Sequence, residues 1–161
     1  MIQFKDMQEK NIVFIAELLN EKSIIASLHN AVMDYRGWLE TYNQHWKNDA
    51  DEKHFVIYSD DIPVGWVKIN GLENEDIAWI AMLVISPKHQ KKGIGRRAVS
   101  FSEEYLHAKG FQKIGIHTTD DNHAAHRLYS KCGYGITEHG KCTTGDGVER
   151  MGYTFIKSLA M

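Results

Sequence analysis

The stretch Val84-Ile85-Ser86-Pro87-Lys88-His89-Gln90-Lys91-Lys92-Gly93-Ile94-Gly95-Arg96-Arg97 constrains the fold of this chain more than any other. An apolar run stops at a proline, a basic segment with two glycines one residue apart follows, and an amphipathic segment then begins. The pattern reads as strand, cationic loop and helix. Gly93 and Gly95 carry no Cβ, so a ligand can approach the main chain there, and the first amides of a helix have no partners within it. Lys88, Lys91, Lys92, Arg96 and Arg97 add full charges to the partial positive charge of the helix end, the usual physical basis for holding phosphate. The first expectation is therefore a phosphate-bearing ligand.

The rest of the composition keeps that feature local. With 161 residues, 43% of them hydrophobic and 25% charged, the chain fits one globular domain, 1–161, large enough for a real core. A formal net charge of -2 argues against a general binder of nucleic acid or membrane surfaces, so the basic loop suits a small anion. No apolar run approaches the roughly 20 residues that span a bilayer. The first residues also lack the basic and then apolar pattern of a signal peptide, so a cytoplasmic protein is expected. Cys132 and Cys142 are too few for a disulfide framework and are expected to be reduced. His123 and His126 share a helix face with Cys132 nearby, but without metal-ligand spacing, and no metal is expected.

Taken in order, residues 2–5 read as a strand, and Ile12, Ile15, Ala16 and Leu19 recur at helical spacing. A second helical region covers residues 23–46, with Gly37 expected to divide it. Residues 54–58 and 62–69 form a hairpin about Ser59-Asp60-Asp61. Residues 76–85 are nearly all apolar, as in a central strand buried on both faces, and feed the basic loop. A helix over 95–109 with Gly110 at its C-terminal cap, and a strand over 113–118, complete a strand-helix-strand unit that places its two strands parallel. Thr119, Asp120 or Asp121 caps a helix through about residue 131, and strands over 134–142 and 148–156 close the chain. The last strand either pairs across a homodimer or ends at an exposed edge softened by Lys157.

Two motifs on this scaffold resemble the GCN5-related N-acetyltransferase (GNAT) family. One is Gln90-Lys91-Lys92-Gly93-Ile94-Gly95 after a strand ending Leu83-Val84-Ile85; the other is Asn122-x-x-Ala125-x-x-Leu128-Tyr129-x-x-x-Gly133-Tyr134. Their order and separation across one βαβ unit carry more weight than either alone. The resemblance implies an α/β (α+β) acyl-CoA N-acyltransferase fold, with a central mixed sheet of six to seven strands flanked by about four helices. It implies acetyl-CoA as cosubstrate, an amine-bearing acceptor, and direct attack within a ternary complex. Main-chain amides of Gln90, Lys91, Lys92, Gly93, Ile94, Gly95 and Arg96 are then expected on the pyrophosphate. Leu83, Val84 and Ile85 are expected along the pantetheine arm with Asn122 on its other side, and Tyr129 as the donor to the departing thiolate. The resemblance further implies a bulge near residues 81–83 that frees the strand edge.

An alkylamine has a pKa of about 10.4, so roughly one molecule in a thousand is a free nucleophile at neutral pH, and deprotonation must be assisted. Family members often place an acid on the central strand. Here that strand reads Asp76-Ile77-Ala78-Trp79-Ile80-Ala81-Met82, with no carboxylate in its middle. Glu75 and Asp76 at its entrance and His117 at the end of the neighbouring strand are the remaining candidates, and the sequence does not choose among them. Tyr35, Trp38, Glu40, Tyr42, Trp46 and Trp79 line the acceptor pocket or belong to the core. Gly93-x-Gly95-x-x-Ala98 also satisfies a dinucleotide-binding pattern. Seven residues separate Ile85 from Gly93, too many for the tight turn that pattern needs, and no Gly-Lys-Ser/Thr is present for a P-loop. The alternative to an enzyme is a non-catalytic acyl-CoA-binding sensor on the same fold.

Overall fold

The computed structural model describes residues 1–159. Its strands are β1 (Ile2–Asp6), β2 (Lys53–Ser59), β3 (Ile62–Asn70), β4 (Ile77–Ile85), β5 (Lys113–Thr119), β6 (Gly135–Thr143) and β7 (Glu149–Ser158). Its helices are α1 (Ile12–Leu19), α2 (Lys22–Leu28), α3 (Tyr35–Thr41), α4 (Ile94–Ala108) and α5 (His123–Lys131). All seven strands join one sheet in the order β1-β2-β3-β4-β5-β7-β6. Among the paired strands only β4 and β5 run parallel, joined by the crossover helix α4. The β2–β3 hairpin turns through Asp60 and Asp61, both left-handed at φ 48° and 68°, which matches the twist of the flanking strands.

Strand alternation feeds two separate cores. Trp66 and Val67 are consecutive on β3 and point to opposite faces. Trp66 joins Ile12, Ile15, Leu19, Trp38 and Trp46 under α1, α2 and α3. Val67 joins Ile80, Val99, Leu106, Tyr129 and Phe155 under α4 and α5.

Three expectations are corrected. The second helical region is divided over residues 29–34, not at Gly37. His29 ends α2 in the left-handed conformation at φ 52°, and Asp34 restarts the chain by accepting a hydrogen bond from Gly37 N at 2.9 Å. Gly37 sits inside α3 because a Cβ there would lie 2.9 Å from Met33 Cβ. Second, β7 is neither an edge nor unpaired: it lies between β5 and β6, and Lys157 is tied to Glu103 at 3.1 Å. Third, β4 is not buried on both faces throughout, since Ala81, Met82 and Leu83 are half-buried. Trp38 and Trp46, for which the sequence left pocket and core open, are buried in the core under α1, α2 and α3.

The buried polar centre of the first core is His54, which stacks on Trp46 and on Trp66 at 4.6 and 5.8 Å between ring centroids, the two indoles themselves lying 5.3 Å apart. Trp66 Nε1 donates to His54 Nδ1 at 3.1 Å; an indole can only donate, so Nδ1 accepts and the proton resides on Nε2, 3.3 Å from Glu52. Burial pushes the imidazole down to about 4, against the opposing pull of Glu52. The unfolded chain therefore binds a proton near pH 6.5 that the native state refuses until about pH 4. Stability from this group is complete above pH 6.5 and is lost as the pH falls toward 4, by up to about 3 kcal/mol. Urea midpoints measured from pH 7 to 4.5 are expected to decline in the wild type and to decline less steeply in His54→Asn.

Candidate active site

The site begins with a mismatch in the sheet. Lys68 of β3 pairs with Met82 but Ile69 pairs with Ile80, so Ala81 is an extra residue on β4, within the expected stretch 81–83. On its other side β4 pairs with β5 over Ile77, Ala78 and Trp79 only. Beyond Trp79 the two strands diverge, leaving the β5-facing edge of β4 without a partner strand through Leu83, Val84 and Ile85. The Trp79 ring covers Gly115, where a Cβ would lie 2.4 Å from Trp79 Cζ3; only glycine permits that approach at the fork.

At the end of β4, a single turn over Pro87–His89 leads into the basic loop. Lys91 and Gly93 are both left-handed, at φ 62° and 83°, and Gly93 is the N-cap of α4 without a side-chain capping bond. The amides of Lys91, Lys92, Gly93, Ile94, Gly95 and Arg96 donate to no acceptor among the described residues, whereas Arg97 N already bonds Gly93 O at 3.2 Å. Gln90 differs from this group. Its amide points at Pro87 O, 3.5 Å away, and its side chain donates to Ile85 O at 2.9 Å, occupying one carbonyl of the β4 edge. Lys88, Lys91, Lys92, Arg96 and Arg97 form no ion pair among the described residues. The start of α4 thus offers unpaired amides with unneutralised cations near it in the chain, an arrangement of the kind that attracts anions.

Helix α5 enters from the opposite side. Its N-cap is Asn122, whose Oδ1 accepts from Ala125 N at 3.3 Å, so the cap is not Thr119, Asp120 or Asp121. Thr119 instead donates to Asp121 at 2.6 Å, and Asp121 holds His29 at 2.9 Å. Two turns along α5, Tyr129 is 3% exposed and its hydroxyl has no hydrogen bond among the described residues. Burial raises its pKa well above the ordinary phenol value, so it stays protonated. The second motif's Tyr134 anchors the helix end: its hydroxyl donates to Glu103 on α4 at 2.8 Å, and Lys157 of β7 reaches the same carboxylate and the Cys132 carbonyl, 2.8 Å away.

Between the diverging strands lies a cavity of about 310 Å³, and it brings together Leu83, Asn122 and Tyr129 of the expected set. Val84 and Ile85 lie farther along the β4 edge, and Gln90, Lys91, Lys92, Gly93, Ile94, Gly95 and Arg96 beyond its end; none of these lines the cavity. A second lobe of about 300 Å³ adjoins through His117, Thr118 and Cys142. Glu75 and Asp76 are exposed at the far end of β4 and line neither lobe. The sequence reading missed Thr143, Thr144 and Gly145 on one wall and Glu138 and Thr154 on the other. They reach the site through β7 pairing with β5 and β6, and no local pattern marks them. Among the described residues no group of three His, Cys, Asp or Glu side chains is placed to hold a metal.

A split central strand facing an anion cradle defines the acyltransferase class of α/β fold. Residues 15–134 match the acetyltransferase (GNAT) family. The chain belongs to that family. It is 29% identical to streptothricin acetyltransferase of Escherichia coli over 54% of this chain, and spans 49% of that relative's length. It is 23% identical to spermidine N(1)-acetyltransferase of Vibrio cholerae over 83% of this chain and 78% of the relative. The crystal structure of spermidine N-acetyltransferase from Vibrio cholerae in complex with CoA and spermine superposes with a TM-score of 0.86. It does so at 21% identity, over 98% of this chain and 95% of that one.

Because Tyr134 fixes the end of α5, Tyr134→Phe is expected to cost roughly 1.5–3 kcal/mol, the scale of a lost hydrogen bond to a charged partner. Thermal unfolding of the variant checks this.

Proposed function

We propose that the protein transfers the acetyl group of acetyl-CoA to a primary amine by direct attack in a ternary complex. The observation that carries this reading is the unpaired β4 edge, running from the cavity to a row of unbonded amides. A pantetheine arm carries two amides and can lie along such an edge as a strand does, while its pyrophosphate needs the converging donors at residues 91–96. Leu83, Val84 and Ile85 would pair with the arm, and Asn122 would offer its side-chain nitrogen from α5. Gln90 acts through its side chain on Ile85 rather than through its amide.

The thioester then falls in the fork between β4 and β5, with Tyr129 on the cavity wall. The amine nitrogen attacks the carbonyl carbon, the oxyanion forms and collapses, and the C–S bond breaks as Tyr129 donates a hydrogen bond to the departing sulfur. The acceptor is a small amine or a peptide amine reaching the fork through the adjoining lobe, where Glu138 supplies a carboxylate suited to a cation. Spermidine is the first acceptor to try, since relatives are named for acting on it.

The test is thiol release from acetyl-CoA, followed with a thiol reagent, against spermidine, putrescine, lysine methyl ester and a short peptide with a free N-terminus. Amine-dependent release is expected with at least one of them. Acetyl-CoA binding without turnover on any would favour a sensor. A Cβ at Gly95 would meet only Leu128 Cδ2, at 3.5 Å, so Gly95→Val fits the fold while filling the approach to the amides. It is expected to raise the acetyl-CoA KM at least about tenfold with little change in Tm. Tyr129→Phe is expected to lower kcat roughly ten- to hundredfold with the acetyl-CoA KM unchanged.

A further inference from the structure

The proposed reaction needs a proton acceptor, and β4 offers no carboxylate where the strands fork. Of the side chains the sequence left open, Glu75 and Asp76 lie away from both lobes, while His117 lines each of them. His117 sits two residues beyond Gly115, the last β5 residue paired with β4, and therefore on the same face of the strand at the mouth of the fork. Trp79 stacks on its ring at 4.5 Å and 13°, and Thr154 Oγ1 of β7 lies 3.0 Å from Nδ1. The imidazole is thus held in place from β4 and β7 at once.

The other histidines around the cavity are committed elsewhere. His29 binds Asp121 at 2.9 Å, His126 Nε2 bonds the Thr119 carbonyl at 2.9 Å, and His139 binds Asp120 at 2.9 Å. Of the histidines, His117 is the one that lines both lobes, and its Nε2 has no partner among the described residues. We infer that His117 is the general base of the acetyl transfer, with Thr154 as its positioning residue. This inference rests on the acetyltransferase reading given above.

In the productive tautomer, Nδ1–H donates to Thr154 Oγ1 and Nε2 carries the lone pair. Nε2 takes one proton from the bound ammonium, leaving a neutral amine. The amine lone pair forms the C–N bond and the carbonyl π pair moves to oxygen. Collapse of the adduct returns that pair, the C–S bond electrons leave with sulfur, and the second nitrogen proton passes to the thiolate. The imidazolium then releases its proton to solvent, so that ammonium and thioester give amide, thiol and one proton. Burial holds His117 below the ordinary histidine value, against the pull of Glu138 on β6, so the ring is neutral and able to accept at pH 7. The other titratable groups on the two lobes are Tyr129, Tyr153, Lys141 and Cys142, and Lys141 already faces Glu149 at 3.5 Å.

The test is kcat against pH, from 5 to 10, for the wild type, His117→Gln and Thr154→Val, using whichever amine of the panel is turned over fastest. For the wild type, kcat is expected to fall on an acid limb below pH 6.5. At pH 7, His117→Gln is expected to lose on the order of a hundredfold. Its acid limb should be replaced by a steady rise with pH, as the amine deprotonates unaided, so that the deficit shrinks by pH 9.5. Thr154→Val should keep an acid limb with a smaller loss. Calorimetric binding of CoA is expected to be unchanged in both variants, which shows that the fold and the coenzyme site survive. A wild-type profile in His117→Gln, or a deficit equal at every pH, would overturn the assignment of the base while leaving the acetyltransferase reading intact. Absence of turnover by the wild type on every amine would overturn that reading, and this one with it.

Discussion

The structure turns on a short ladder: β4 and β5 are joined over three residues and then part. Two local facts enforce it. Ala81 is surplus to the β3 register, which bends β4, and the Trp79 indole occupies the space over Gly115, wedging the fork at its root. A parallel pair in a sheet interior would ordinarily satisfy its backbone groups along its whole length. Here those groups on β4 have no partner strand, and β5 is held instead by seven pairs with β7. The sheet thus stays continuous while one internal edge opens, and that opening is the 310 Å³ cavity.

Charge is divided between the two ends of the cleft. The basic loop gathers free cations and free amides at the start of α4 in a chain whose net charge is -2, so the attraction is directed at one spot and does not spread over the surface. The main cavity is lined by no Asp, Glu, Lys or Arg side chain. Burial keeps Tyr129 protonated, and desolvation lowers the His117 pKa from its ordinary value. A phenol that keeps its proton and an imidazole that has lost its own form a donor and acceptor pair without charge in the resting site, which keeps the desolvation cost of the pocket small.

What the sequence disclosed follows from the range over which each feature is determined. The strand, basic loop and α4 were legible because proline, paired glycines and apolar periodicity act within a few residues, and the hairpin at Asp60 and Asp61 for the same reason. The placement of β7 was not, since Thr154 meets His117 across 37 residues of chain and nothing near either one records the pairing. The break after α2 was misplaced because Gly37 is there for packing against Met33, a tertiary demand that looks like a helix breaker in one dimension. Asn122 was singled out as a ligand contact, yet its side-chain oxygen caps α5. One residue therefore serves both as cap and, through its nitrogen, as a candidate contact, and a motif alone cannot separate the two.

The protonation state of Tyr129 limits what it can do. An ordinary phenol has a pKa of about 10 and an alkyl thiol about 8.5, so full proton transfer from phenol to thiolate is uphill by about 2 kcal/mol before burial is counted. Burial raises the phenol further and makes the tyrosinate still less accessible. In the proposed reaction, Tyr129 beside a departing sulfur would therefore act as a hydrogen-bond donor that eases charge onto the leaving group, not as an acid that surrenders its proton. The proton that the thiol finally carries must come from a stronger acid, and the strongest one formed along the way is the cationic nitrogen of the tetrahedral adduct itself. The site needs to remove a proton at only one point, before attack, and that is the step for which a neutral, oriented base at the fork has a purpose.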